Sequence, residues 1–312
     1  MTLHHLLDAP TPGLAGALAE FERQFTYPLG PGRTFRISHG DNYTRFFRAM
    51  GEASCFVMEE SGRVLGVLCT CARRMILPDG SEKTVTYVGD LKVDPSAGGA
   101  ALFLKLAWSA LRTGPAPTGY GVVMDGTRRT PDGYTGTLGI PLARELGKVI
   151  VWQFRTGQPV ASIDDFRSSC DSTLALYRKL SLGRHACIDA KVTARSEMTP
   201  VWLAHPSGDA CGLVEDTRRC KRLIADDGTE LRSGHLSYFA FSSAVAGAEL
   251  IQAAIQLAGE AGHPAMFVAM TPADAAVLEA QMRGLEKVVA PATIYGNIPG
   301  ASLPWNINSS EI

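Results

Sequence analysis

One carboxylate, Asp90, interrupts the apolar run Tyr87-Val88-Gly89-Asp90-Leu91-Lys92-Val93, after which the chain turns through Asp94-Pro95-Ser96-Ala97-Gly98-Gly99-Ala100-Ala101-Leu102. Burial disfavours the charged form of a carboxyl, so an apolar setting raises its pKa and makes it a better proton acceptor. Strand alternation puts Asp90 and Lys92 on one face, with Leu91 and Val93 on the other. The competing expectation for Asp90 is an ion pair with Arg73 or Arg74 on a neighbouring strand. The small-residue turn lets backbone N–H groups approach a pyrophosphate, and the helix it opens adds a favourable partial charge.

Other reactive side chains are weaker candidates. Glu59 and Glu60 end a strand and read as a solvated hairpin edge. Arg128 and Arg129, in a loop, could meet a phosphate or an acidic acceptor, although loop arginines are ordinarily solvated. The seven histidines form no close group, and His4-His5 lacks further ligands. Cys69 and Cys71 share a strand face with no second pair to complete a tetrahedral site, so packing is expected and no metal.

The elements that must position these groups follow from periodicity. Thr11-Pro12-Gly13 starts a helix, with Leu14, Leu18 and Phe21 at helical spacing. Residues 34–38 alternate as a strand, and Asp41 can cap a helix carrying Tyr43, Phe46, Phe47 and Met50. Strands are expected over 55–59, 64–76 and 84–93, the first two joined at Ser61-Gly62-Arg63. Gly98-Gly99 opens a helix whose apolar face is Leu102, Phe103, Leu106, Ala107, Ala110 and Leu111. A short buried strand follows at 121–124, then a loop to 139 and a strand over 149–154.

The second half repeats that order. A helical stretch contains Phe166, Leu174, Leu176 and Tyr177. Strands are expected over 200–204, 210–215, 236–241 and 265–270, and helices over 248–259 and 272–282. Ser61-Gly62 with Gly66 matches Ser207-Gly208 with Gly212 at a displacement of 146, and Val122-Val123-Met124 matches Val268-Ala269-Met270 at the same displacement. Val93, Gly99 and Leu102 match Phe241, Gly247 and Leu250 at 148. Three matches in order within two residues of one displacement point to an internal duplication. The boundary falls near Thr156-Gly157-Gln158-Pro159, dividing the chain into 1–157 and 158–312.

Composition narrows the class. The 312 residues are 46% hydrophobic and 20% charged, an ordinary globular balance long enough for two domains. A formal net charge of -1 offers no basic face for nucleic acid or an anionic membrane. No run approaches a membrane span, the start lacks the pattern of a secretory signal, and seven scattered cysteines suit reduced thiols. A cytoplasmic protein is expected, and its oligomeric state is left open.

The run from Tyr87 to Leu102 resembles the central motif of the GNAT superfamily of acyl-CoA-dependent N-acyltransferases, in which a strand ends at an apolar-x-Val-x-Pro sequence and a glycine-rich loop starts a helix. The likeness in fold covers most of 34–154 and, more weakly, 159–296. It implies an α/β chain (α+β by some schemes) of two tandem GNAT-like domains, each a mixed, mostly antiparallel sheet flanked by helices. It also implies an acyl-CoA, expected to be acetyl-CoA, held by Leu91, Lys92, Val93, Ser96, Ala97, Gly98, Gly99, Ala100 and Ala101.

The implied reaction is direct attack by a small-molecule amine on the thioester. Asp90 is then the candidate base and Tyr134, following the fifth strand of the family's order, the candidate acid; Tyr177 is a reserve. The sequence departs from the family where Gly98 stands in place of the usual Arg or Gln. The second copy departs further, with Ser242-Ser243-Ala244-Val245-Ala246-Gly247-Ala248-Glu249, whose glutamate would repel a phosphate. It is expected to be a degenerate copy. The alternative is a catalytically inactive GNAT-fold protein that binds a ligand or partner.

Overall fold

The computed structural model describes residues 1–30, 32–127, 129–158, 166–189, 192–299 and 303–312. The chain begins with strand β1 (Thr2–Leu6), helix α1 (Pro12–Glu22), strands β2 (Tyr27–Gly30) and β3 (Arg33–Ser38), and helix α2 (Arg45–Met50). Three long strands follow, β4 (Ala53–Glu60), β5 (Arg63–Ile76) and β6 (Glu82–Val93), then α3 (Gly99–Thr113), β7 (Gly119–Met124) and β8 (Arg144–Arg155). The second half runs α4 (Cys170–Leu180), β9 (His185–Cys187), α5 (Val192–Arg195), β10 (Val201–Ala204), β11 (Ala210–Glu215) and β12 (Arg222–Ala225). It continues with β13 (Ser233–Phe241), α6 (Ala244–Glu260), β14 (Ala265–Met270), α7 (Pro272–Glu279), β15 (Lys287–Gly296) and β16 (Trp305–Asn306).

Local chemistry accounts for these elements. Pro12 occupies the first turn of α1, where its missing N–H costs nothing. Ser61 and Gly62 both have positive φ, which gives the β4–β5 hairpin a turn whose twist matches its strands. In α3, Leu102, Leu106, Ala107 and Ala110 form one buried stripe. Ten residues of α6 are buried, and that helix lies deep in the second half.

The architecture is mixed α/β, a large and mostly antiparallel sheet flanked by helices. Its main path is β1-β4-β5-β6-β7-β15-β8-β14-β13-β11-β10, with β9 and β16 attached beside β5. The order β4-β5-β6-β7-β15 is mirrored by β10-β11-β13-β14-β8. In each set a helical crossover joins a parallel pair, β6–α3–β7 and β13–α6–β14. The central strands are exchanged: β15 pairs with β7 and β8, while β8 pairs with β14. The halves therefore share one continuous sheet where sequence reading expected one sheet per half. Exchange satisfies the edges of β7 and β14, which would otherwise stand open. A small sheet, β12-β3-β2, also crosses between halves, and Arg33 clasps Asp226 and Asp227 there.

Both mirrored sets carry a bulge at the same place. The β5–β6 register slips between Val67 and Cys69, so Asp90 and Leu91 oppose one residue. The β11–β13 register slips between Cys211 and Leu213, so Tyr238 and Phe239 do the same. Asp90 has φ +53° and Tyr238 φ +50°, left-handed values uncommon for residues other than glycine. The two positions are 148 apart, the displacement found for Val93 and Phe241.

Candidate functional site

Past each bulge the sheet opens. β6 and β7 pair only at Thr86–Gly119 and Tyr87–Tyr120, so beyond this ladder the main chain of β6 runs unpaired on that side toward the start of α3. Leu91 and Val93 turn to the α3 side, where they pack on the cluster of Phe56, Leu65, Leu68, Leu102 and Leu106. Lys92 turns the other way, toward Asp90, so only its main chain is left on the unpaired side.

The turn between β6 and α3 is organised by Asp94. Its Oδ1 accepts the Ser96 N–H at 2.8 Å and the Ser96 hydroxyl at 2.6 Å, and Arg63 from the hairpin pairs with the other oxygen. Gly98 is left-handed at φ +71°, a conformation that costs glycine nothing. A Cβ on Gly98 would meet nothing within 4 Å, and one on Gly99 only Val93 Cγ1 at 4.0 Å. Ser96, Gly98, Ala100 and Ala101 are exposed, and no side chain caps α3. At its start the Ala101 N–H bonds Gly98 O at 3.2 Å, and the exposed, uncapped end around it is an arrangement that suits an anion.

The corresponding junction in the second half is capped and packed from its third helical residue on, while Ser242 and Val245 at its start are exposed. Ser243 caps α6, and Ala246, Gly247 and Ala248 are buried. A Cβ on Gly247 would lie 2.9 Å from Phe241 and 3.2 Å from Leu278. The bulge amide of Tyr238 donates to Asn308 Oδ1 at 2.8 Å, and Ser310 bonds Ser237 at 2.9 Å. The segment Asn308-Ser309-Ser310-Glu311 thus lies along the second bulge. Among the described residues no side chain accepts from the Asp90 amide. Glu249, expected to repel a phosphate, pairs with His205 at 2.7 Å.

Asp90 lies in a nearly buried polar cluster on the face away from α3. Lys92 Nζ is 2.6 Å from its Oδ1, and the Tyr43 hydroxyl donates to its Oδ2. Glu22, the last residue of α1, lies 4.0 Å from the same ammonium. The Glu22 carboxylate also takes the His39 ring at 2.6 Å and the His39 main-chain N–H at 3.1 Å. These contacts correct two expectations. The partner of Asp90 is Lys92, whereas Arg73 pairs with Asp189 and Glu311 and Arg74 with Glu82. Burial does push the Asp90 carboxyl up, but the charges of Lys92 and His39 outweigh it and hold the group below the ordinary aspartate range. Burial tends to neutralise Lys92, yet Asp90, Tyr27 and Glu22 raise it, so it stays an ammonium.

The structure does not bring Tyr134 to this cluster. Its ring packs edge-on against Phe103 in the first turns of α3, at 5.1 Å, and burial pushes its phenol up to about 12. Tyr177 is buried in α4 against Tyr238. Arg129 is exposed, and Arg128 and Pro159 lie outside the described residues. Glu59 bonds His4 at the hairpin edge, and Cys69 and Cys71 are buried. Glu22 and His39 were missed by sequence reading. Glu22 stands four residues after Leu18, on the buried face of α1, and that spacing was a usable signal. His39, between strand and helix, had none.

Between the halves lies a second polar centre. Glu311 accepts from Arg73 at 2.9 and 3.2 Å and from Arg195 at 3.0 Å, while Arg195 also forks onto Glu215 at 2.8 and 2.6 Å. Burial raises the Glu311 carboxyl, but the two guanidinium groups bring it down to about 2.

Saccharomyces cerevisiae N-myristoyltransferase with bound myristoyl-CoA matches at TM-score 0.63 and 10% identity, over 99% of this chain and 87% of that one. A structure of the same enzyme with myristoyl-CoA and inhibitors matches at 0.63 and 10%, over 99% and 84%. A further myristoyl-CoA complex matches at 0.59 and 11%, over 99% and 82%. The likeness extends along nearly the whole chain and shows a GNAT-like fold. No protein-family model matches the chain, and no curated protein matches it in sequence. Among the described residues no helix is long and apolar enough to cross a membrane.

Proposed function

We propose that this protein is an acyl-CoA-dependent N-acyltransferase that holds one acyl-CoA, along the unpaired part of β6 in the first half. The observation that carries the reading is the contrast between the two equivalent junctions. Residues 98–101 are largely exposed and uncapped, whereas residues 246–248 are buried and the α6 start is capped by Ser243. The fold neighbours carry myristoyl-CoA, which supports an acyl-CoA as donor. In this reading the turn from Ser96 to Ala101 receives the pyrophosphate, and the main chain of Leu91, Lys92 and Val93 pairs with the pantetheine arm. The Asp90 amide takes the thioester carbonyl, as the Tyr238 amide takes a carboxamide oxygen in the second half.

Acetyl is the acyl group we favour, because the layer between β6 and α3 is filled by Leu91, Val93, Leu102 and Leu106. The acceptor is a small-molecule amine. Asp90, held as a carboxylate beside Lys92, is the candidate base, a weaker one than burial alone would make it, and Tyr134, protonated at neutral pH but packed on Phe103 away from that cluster, is the candidate acid for the departing thiolate. The halves are read as duplicated domains, 1–157 and 158–312, with the second a scaffold.

Calorimetry with acetyl-CoA and with myristoyl-CoA tests this directly. One site per chain is expected, with acetyl-CoA bound and turned over in the presence of an amine. Gly99→Leu should abolish binding, since its side chain projects into the open turn. Absence of binding to either thioester would sink the proposal, and binding without turnover on any amine would leave an inactive ligand-binding protein.

A further inference from the structure

The turn that opens α3 lacks the side chain that the GNAT motif supplies, since Gly98 stands where Arg or Gln is usual. A cation reaches the same turn from a different element. Arg63, the first residue of β5, bonds the Asp94 carboxylate through Nη2, and the same nitrogen stands 3.4 Å from the Ser96 hydroxyl. Among the described residues it is the one basic side chain bonded to residues 94–101. The pair is lopsided: 3% of the Asp94 side chain is exposed against 58% of Arg63. An ion pair with one partner so exposed contributes little stability. What it does fix is position. Asp94 Oδ1 holds the Ser96 N–H and hydroxyl while Oδ2 holds Arg63, so one buried carboxylate sets the turn and the guanidinium together. Nε and Nη1 of Arg63 keep no partner among the described residues.

The second half supplies the contrast. Ser242 occupies the position of Asp94, 148 residues on, and follows Phe241 as Asp94 follows Val93. The hairpin side chain that reaches Ser242 is Asp209, whose Oδ1 accepts the Ser242 hydroxyl at 3.0 Å. Glu249 of α6 pairs with His205 of the same hairpin. In the first half no acidic residue stands in the first turn of α3. One hairpin thus presents a guanidinium to an uncapped helix start, and the other presents a carboxylate to a capped one. A carboxylate repels a phosphate at short range, whereas a guanidinium matches its oxygens with parallel N–H donors. The sign of the hairpin charge therefore suits an anion at the first turn and disfavours one at the second.

We propose that Arg63 is the diphosphate-binding cation of this protein, supplied by the β4–β5 hairpin in place of the side chain absent at residue 98 and held in position by Asp94. This rests on the acyltransferase reading above and specifies its donor as a thioester recognised through the diphosphate of coenzyme A, rather than through the pantetheine arm alone. The exposed start of α3 and the free nitrogens of the guanidinium take the phosphate oxygens together, and Nη2 stays on Asp94.

Equilibrium binding of acetyl-CoA, 3′-dephospho-acetyl-CoA and acetyl-pantetheine to intact wild type, R63Q and R63K tests this. R63Q should weaken acetyl-CoA by about 10- to 100-fold, the loss expected for one charge-assisted contact. The 3′-dephospho compound keeps the diphosphate and should lose the same factor. Acetyl-pantetheine has no phosphate and should bind the three proteins alike. R63K keeps the charge without the fork and should fall between wild type and R63Q. Added salt should weaken acetyl-CoA binding more steeply in wild type than in R63Q. An R63Q that binds acetyl-CoA as tightly as wild type overturns the proposal and leaves the acyltransferase reading standing. So does a loss confined to acetyl-CoA, which would assign Arg63 to the ribose 3′-phosphate, or an equal loss for acetyl-pantetheine, which would make Arg63 a support of the turn. A wild type that binds none of the three overturns both.

Discussion

Replacing Glu311 by glutamine probes the joint between the two halves. Its carboxylate is buried and takes three hydrogen bonds, two from Arg73 and one from Arg195. The amide presents an NH2 where a charged acceptor stood and leaves both guanidinium groups short of one. Each keeps another carboxylate, Asp189 for Arg73 and Glu215 for Arg195, which places the loss near the low end for a broken buried pair, about 3 kcal/mol. Linkage leads to a similar size independently. The folded carboxyl lies at about 2 against a reference of 4.5, and such a difference corresponds to about 3 kcal/mol. For a chain of this length that is about 6 °C in Tm. The sign follows from a depressed folded pKa: the stabilisation is present above 4.5 and is lost as pH falls from there toward 2. Urea unfolding of wild type and Glu311→Gln at a series of pH values from neutral to acid is the assay. The gap between the two proteins should be about 3 kcal/mol at neutral pH and narrow below 4.5. A gap under 1 kcal/mol at neutral pH, or one that widens in acid, would refute the reasoning.

Three further outcomes follow. Gly247→Ala should destabilise, because its Cβ must displace Phe241 and Leu278, whereas Gly99→Ala meets only Val93 at van der Waals distance and should leave Tm nearly unchanged; equal melting shifts would show that the two junctions are packed alike. Asp90→Asn should leave acetyl-CoA affinity intact and lower turnover by about 10²–10⁴-fold, with a loss of stability from the unpaired Lys92; an early-melting variant that keeps its turnover per folded molecule would reduce Asp90 to an ion-pair partner. Tyr134→Phe should retain fold and cofactor affinity, since its ring contact with Phe103 survives, and lose rate mainly at the thiolate-protonation step; unchanged turnover would remove it from the mechanism.

How much of this molecule is legible in one dimension depends on whether the deciding interactions are local. Strand alternation placed Leu91 and Val93 opposite Asp90 and Lys92. The glycines at 98 and 99 and the apolar stripe from Leu102 to Ala110 marked the turn and the helix. The strand at Ala265–Met270 was bounded correctly because an apolar run between turn residues needs no partner to be recognised. The mixed α/β class came from the resemblance of the run Tyr87 to Leu102 to the GNAT motif, with which the order of such elements agrees. The spacings between Gly66 and Gly212, and between Val93 and Phe241, were also visible, and they locate the two bulges at Asp90 and Tyr238. Neither bulge could be read from residue type, since aspartate and tyrosine rarely adopt a left-handed backbone.

Tertiary structure alone decided the rest. β15 was not recognised as a strand because half of it, Lys287 to Pro291, is exposed or half-exposed and its apolar pattern reflects two partners far away in sequence. The exchange of β8 and β15 depends on which edges meet, and periodicity is silent on edges. Asp90 was expected either to titrate high through burial or to pair with Arg73 or Arg74. Lys92 from the same strand, and His39 and Tyr43 from the stretch between β3 and α2, converge on it, and their interactions reverse the sign. The same holds for Gly99 and Gly247: similar sequence contexts, one open and one filled, distinguished by what Phe241 and Leu278 occupy in space.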